Sequence, residues 1–314
     1  MAPSRGLALS GLIAAPFTPT RADGGLDLDR VPELARSLAG QGVAGAFVGG
    51  TTGEGLSFTG EERIALHAAW ARAGRPLGLR VLAHVGATAL GEAQAMAARA
   101  QADGCDGIGC LPPFYFKPAT VAALVDWFAA LASAAPRTPF YLYDLPAWTG
   151  VHLDMVAFLE QAAPRIPNLA GLKHTNPDQA QYLRCLRCMD GVFEVGWGSD
   201  EALLAGLALG ARFAVGSTYN FAAPLYQRLI AAFQAGELEQ ARVEQERSAQ
   251  MVAALARHGF LPAARALMDM IGVAVGPPRL PLLPVGDAAR TALRAELTAL
   301  GFFEWGAPQE SGVA

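Results

Sequence analysis

The sequence predicts a (β/α)8 barrel followed by a C-terminal helical extension. Three observations predict it. Eight short apolar runs recur at intervals of roughly 20 to 35 residues, with helical patterns between them. The runs are apolar throughout rather than alternating, as parallel strands covered on both faces are. The chain of 314 residues also has the length of one large barrel.

The elements follow in order. Arg5 and the stretch Gly6–Ala15 resemble the charged and apolar regions of a signal peptide, but glycines interrupt it and Pro16-Phe-Thr-Pro19 comes directly after. A first strand, Leu12–Ala15, explains it better, and a cytoplasmic location is the expectation. The later runs are Ala44–Val48, Arg80–His84, Gly107–Leu111, Phe140–Tyr143, Leu169–Leu172, Phe193–Val195 and Phe213–Val215, each ending in Gly, Pro or polar residues. Between the runs lie helical patterns such as Glu61–Arg72, Leu90–Ala102, Thr120–Ala132 and Glu201–Leu209. Thr59 ahead of Glu61-Glu62, and Asp200-Glu201 ahead of the last of these, are start signals. After Asn220 the alternation stops. Ala223–Ala235, Leu238–His258, Pro262–Ile271 and Asp287–Leu300 read as helices, with Pro277–Pro284 an extended interruption. The expected division is a barrel over 1–222, a helical extension over 223–305 and a tail over 306–314.

Composition narrows the function. Hydrophobic residues make up 52% and charged residues 17%, which supports a large core and excludes disorder. The net charge is -4, and no basic patch with interleaved aromatics appears, so nucleic acid is excluded as a partner. No apolar stretch is long enough to cross a bilayer. Cys185-x-x-Cys188 lies on a helical pattern without a second pair, and the histidines are scattered; no metal site is expected.

In a barrel the chemistry sits where strands end at the C-terminal face. Lys173 ends the run Leu169-Ala-Gly-Leu172, ahead of His174-Thr175. Burial disfavours a charged amine, and a lysine so placed suits Schiff-base formation with a carbonyl. One unit earlier, Tyr141-Leu-Tyr143-Asp-Leu-Pro146 offers a phenol for proton transfer. The second run ends in Gly49-Gly-Thr51-Thr52-Gly-Glu-Gly55, where glycines turn backbone N–H groups toward an anion beside two hydroxyls. No lysine is present for a phosphate loop, so a carboxylate fits. Gly196-Trp-Gly198-Ser-Asp200-Glu201 supplies acids that either cap the next helix or bind substrate hydroxyls. Gly216-Ser217-Thr-Tyr-Asn220 is small and polar. Together these suit a 2-keto acid held as an imine, the imine drawing electrons from a breaking C3–C4 bond without a metal or nucleotide cofactor.

With these motifs the chain resembles the pyruvate-dependent class I aldolase family that contains dihydrodipicolinate synthase and N-acetylneuraminate lyase. The similarity runs from Pro16-Phe-Thr-Pro19 through Leu280-Pro-Leu-Leu-Pro284. It implies Lys173 as the Schiff-base residue, Tyr143 as proton shuttle, and Thr51 and Thr52 on the pyruvyl carboxylate. Thr175, Gly198, Asp200, Glu201 and Ser217 are the further substrate-binding candidates. Tyr115, in Pro112-Pro-Phe-Tyr-Phe116, matches a tyrosine that in the synthases approaches a neighbouring subunit's site. A homotetramer or dimer is expected. Synthases carry an arginine shortly after the Tyr-x-x-Pro proline; Ala147-Trp148-Thr-Gly-Val151 is uncharged, as in the lyases. The expected activity is cleavage of an N-acetylneuraminate-like 2-keto sugar acid to pyruvate and an aldose. The alternatives are dihydrodipicolinate synthase, another 2-keto-3-deoxy-acid aldolase, or a non-catalytic keto-acid-binding barrel. Asp144, where Asn or His is more usual, and the bulky Trp148 are expected to reshape the pocket.

Overall fold

The eight apolar runs are eight parallel strands, each hydrogen-bonded to the next and the first to the last, so the sheet closes on itself. The computed structural model describes residues 6–306. Of the tail expected over 306–314, residues 307–314 lie outside the described residues. The chain runs β1 (Gly11–Ala14), α1 (Val31–Gly40), β2 (Gly45–Val48), α2 (Gly60–Gly74), β3 (Arg80–His84), α3 (Leu90–Asp103), β4 (Gly107–Cys110) and α4 (Val121–Ala132). It continues with β5 (Phe140–Asp144), α5 (Pro146–Thr149), α6 (Met155–Ala162), β6 (Leu169–His174), α7 (Gln179–Arg187), β7 (Glu194–Trp197), α8 (Leu203–Leu209) and β8 (Phe213–Gly216). Helices alone complete it: α9 (Ala223–Gln234), α10 (Leu238–Arg257), α11 (Phe260–Met270), α12 (Asp287–Ala299) and α13 (Phe302–Trp305).

Two cores share the strands. The larger lies between sheet and helices and takes Leu12, Ala46, Val48, Val81, Ala83, Ile108, Leu142 and Leu172. The smaller fills the barrel with Ile13, Phe47, Leu82, Tyr141, Tyr143, Ala170, Phe213 and Val215. Successive side chains of a strand point to opposite faces, which is why every run is apolar throughout. Phe47 and Phe213 fill the interior because glycines face them: a Cβ at Gly109 would strike Phe47, and one at Gly196 would strike Phe213.

Helix starts follow local chemistry. Thr59 and Glu62 form a reciprocal capping box at α2, as the Thr59 signal predicts, and Thr120 caps α4. Asp200-Glu201 instead opens a single 3-10 turn, and α8 begins at Leu203. The reason is that the Asp200 carboxylate accepts from Thr218, not from its own helix.

Candidate active site

Lys173 faces the barrel interior because of one extra residue. Phe140 of β5 pairs with Leu169, but Tyr141 pairs with Gly171, which leaves Ala170 as a bulge in β6. Leu169 faces the helices and Ala170 the interior. Unbroken alternation would bring Leu172 inside and send Lys173 out. With the bulge, Leu172 faces the helices and Lys173 turns inward opposite Tyr143, its register partner. Gly171 permits this, since a Cβ there would overlap the Glu194 backbone.

Lys173 is 7% exposed, and its amine rests on two aromatic faces. Its Nζ lies 3.8 Å from the Tyr143 ring centroid and 4.8 Å from that of Phe47. The Tyr143 and Phe47 rings meet edge to face at 5.7 Å. A primary amine is thus held in an apolar, water-poor layer beside a phenol, at the end of the barrel where strands open. This suits attack on a carbonyl and proton transfer next to it.

The glycine-threonine loop after β2 is pinned at both ends. Gly49 adopts φ +71°, and a Cβ at Gly55 would overlap the Gly49 carbonyl, so the turn requires glycine at both positions. Thr18 donates to the Gly53 carbonyl at 2.6 Å. Glu54, itself in the left-handed region at φ +51°, accepts from Arg265 Nε of α11 at 2.6 Å and from the Arg279 amide at 2.9 Å. Arg265 donates further to the carbonyls of Thr18, Val275 and Gly276, so this buried pair has its polar groups satisfied. Thr52 is buried and Thr51 half-buried on the tethered loop.

Beyond the loop, the predicted residues divide. Asp200 is buried, and burial raises its carboxyl above the usual range. Its Oδ2 accepts from the Thr218 amide at 2.9 Å and hydroxyl at 2.7 Å. Glu201 is exposed, and Ser217 is half-buried. The Thr175 hydroxyl is buried without a partner among the described residues, and Gly198 must be glycine because a Cβ would strike it. Tyr115 is 75% exposed, stacked edge to face on Phe116, and Trp148 on α5 is 68% exposed. Cys185 and Cys188 are free and buried; burial raises both thiols, which suits packing rather than redox work.

Asp144 does not line the pocket, contrary to expectation. Tyr143 takes the inward position, so Asp144 and its register partner His174 face the helices. Asp144 Oδ2 accepts from the Asn176 amide at 3.0 Å and lies 3.6 Å from His174 Nε2, too far for a hydrogen bond. Burial dominates both groups, lifting Asp144 to about 6 and lowering His174 to about 4. The Asp144 contribution to stability is therefore full below its unfolded pKa near 4 and is lost as pH rises through about 6. The displacement corresponds to at most about 3 kcal/mol. Asp144→Asn is expected to raise the urea midpoint at pH 8 and to leave it unchanged near pH 4. A parent more stable than the variant at pH 8 would mean that His174 is protonated against Asp144.

Two residues of the inward layer, Phe47 and His84, are not singled out by the sequence motifs. His84 ends β3, and the strand-end rule applied to that run as to the others would find it. Arg265 lies 211 positions from Glu54, and no local signal joins them.

A family model described as the dihydrodipicolinate synthetase family matches residues 8–300. The chain is 35% identical to N-acetylneuraminate lyase of Rattus norvegicus over 301 residues, covering 95% of this chain and 94% of the relative. It is 36% identical to that of Gallus gallus, covering 93% and 96%. Among solved structures, Proteus mirabilis N-acetylneuraminate lyase superposes with a TM-score of 0.91 at 37% identity, covering 94% of this chain and 99% of that one. A dihydrodipicolinate synthase from Cyanidioschyzon merolae gives 0.86 at 30%, covering 93% and 98%.

Proposed function

The chain belongs to the dihydrodipicolinate synthetase family, and we propose that within it the protein is a Schiff-base lyase cleaving an N-acetylneuraminate-like 2-keto sugar acid. The observation that carries this reading is the Lys173 amine, turned into the barrel by the bulge and seated on Tyr143 and Phe47.

The Lys173 amine adds to the C2 ketone and expels water, leaving an iminium. Thr51 and Thr52 hold the adjoining carboxylate on the tethered loop. Tyr143 removes the C4 hydroxyl proton, relayed through the substrate carboxylate, as the C3–C4 bond breaks. The bonding pair moves into the iminium to give an enamine, and the aldose leaves as its aldehyde. The proton lost from the C4 hydroxyl is returned to C3, and water hydrolyses the imine to release pyruvate. The lysine imine is the electron sink, so the steps call on no metal or nucleotide. Thr175, Gly198, Asp200, Glu201 and Ser217 are assigned to the hydroxyl tail. Asp200, already bonded to Thr218, serves by shaping the β8 end as much as by contact. Tyr115, exposed beside Phe116, is assigned to a neighbouring subunit's site in a homotetramer or dimer. No helix among the described residues is long and apolar enough to cross a membrane, and a cytoplasmic location is proposed.

The synthase is the second reading. The uncharged Ala147-Trp148-Thr149 of α5 opposes it, because a dicarboxylate product calls for a cation there. A panel of N-acetylneuraminate, 2-keto-3-deoxygluconate, and pyruvate with aspartate semialdehyde decides. Pyruvate release from the neuraminate is expected to have the highest kcat/KM. Preference for the semialdehyde would establish the synthase, and saturable pyruvate binding without turnover a non-catalytic binder.

A further inference from the structure

We propose that His84 is a positioning residue that sets the carboxylate-binding loop through the carbonyl of Gly49; the inference rests on the aldolase reading above. His84 ends β3 and is buried in the layer that carries the amine. Its ring centroid lies 5.8 Å from that of Phe47 and 6.2 Å from that of Tyr143. Its Nδ1 lies 3.0 Å from the carbonyl oxygen of Gly49, the first residue of the Gly49-Gly-Thr51-Thr52 loop. Glu54 fixes the far end of this loop, and His84 fixes the near end. The ring thus links the layer seating Lys173 to the loop assigned to the carboxylate.

A buried arginine holds the ring in one state. Arg63 of α2 is 2% exposed, and no carboxylate among the described residues forms an ion pair with it. Its Nη1 donates to the Gly86 carbonyl at 2.7 Å and its Nη2 to the His84 carbonyl at 2.6 Å. Nη2 also stands 3.1 Å from His84 Nδ1. Nδ1 cannot both donate to Gly49 and accept from Nη2, and we assign it the proton, which gives the Gly49 carbonyl a donor at 3.0 Å while the guanidinium bonds the two carbonyls. Complete burial and the neighbouring cation keep the imidazole neutral, well below the usual histidine range. Nε2 then carries a bare lone pair, and it is buried without a partner among the described residues. Gly86 packs beside this edge of the ring, where a Cβ would lie 2.9 Å from both Cε1 and Nε2. His67 stands near Gly49 as well: a Cβ at Gly49 would lie 3.2 Å from its Nε2. A polar group held at this cost, with one hydrogen bond aimed at the loop, is explained by the loop position it enforces.

The test uses pyruvate and borohydride to trap the imine and reads two quantities, the half-saturating pyruvate concentration and the limiting labelling rate. His84→Asn places an amide N–H near the position of Nδ1–H, and His84→Gln places it nearer Nε2. His84→Gln is expected to raise the half-saturating concentration about tenfold, the effect of one lost hydrogen bond, with the limiting rate within about twofold. His84→Asn is expected to stay within about threefold of the parent in both. Equal behaviour of the two variants, or losses confined to the limiting rate, would overturn the proposal. In the unaltered protein, 15N-histidine spectra are expected to show the Nδ1–H tautomer at His84 with a signal that moves on adding pyruvate. An Nε2–H tautomer overturns the proposal even if neither variant folds. A parent protein that takes up no label overturns the aldolase reading, and this inference with it; a parent that labels while both variants match it overturns this inference alone.

Discussion

Replacement of Lys173 by alanine is expected to abolish turnover, by more than roughly 10⁴-fold, and to abolish covalent trapping of pyruvate by borohydride, with the fold intact. No second amine is placed to substitute. The other lysine of the chain, Lys117, lies against Gly150 beside α5, outside the interior layer that holds Phe47 and Tyr143. The fold survives because the amine ends the layer rather than supporting it, and the Phe47–Tyr143 edge-to-face contact persists without it. Mass spectrometry of parent and variant after borohydride treatment checks this directly. The parent is expected to carry one reduced pyruvyl group on the peptide containing Lys173, and the variant none. An adduct on another residue, or unlabelled parent protein, would sink the imine mechanism.

Breaking the Glu54–Arg265 pair is expected to have the largest effect on stability. Glu54→Ala leaves the Arg265 guanidinium buried without its carboxylate and releases the Arg279 amide as well. Removing one partner of a buried pair costs about 3–5 kcal/mol, which for a chain of this size lowers the melting temperature by roughly 10 °C. Calorimetry of Glu54→Ala, Arg265→Met and the double variant checks it. The double variant is expected to be less destabilised than the sum, since no uncompensated charge remains. The same substitutions are expected to raise the half-saturating pyruvate concentration, because Glu54 ties the loop bearing Thr51 and Thr52 to α11. A Glu54→Ala protein that melts like the parent would show that water reaches Arg265.

Much of this arrangement is legible in the sequence. The eight runs match eight strands, with ends displaced by a residue or two: β6 extends through Lys173 and His174 rather than stopping at Leu172, and β5 includes Asp144. The displacement has a simple cause. A run ends where apolar residues stop, whereas a strand ends where ladder hydrogen bonds stop, and polar residues at the C-terminal ends still pair. The short α5 and α13 are invisible in the sequence because four residues give no periodicity to read.

Residues close together in the chain are enough to specify the barrel, the end of it at which the chemistry sits, and the residue types gathered there: an amine, a phenol and a glycine-threonine loop. These are local properties, carried by the apolar runs and by the polar and glycine residues at their C-terminal ends. Which way the side chains face, and what holds them, is set by packing in three dimensions. The Ala170 bulge, which turns Lys173 inward, arises from the pairing of β6 with β5 and leaves no mark in an uninterrupted apolar run. Asp144, expected in the pocket, faces the helices because Tyr143 holds the inward position beside it. The tie between Glu54 and Arg265 and the wedge of His84 between Arg63 and Gly49 join segments distant in the chain. Strand alternation and residue type are set by neighbours in sequence; register, bulges and buried polar contacts are set by neighbours in space.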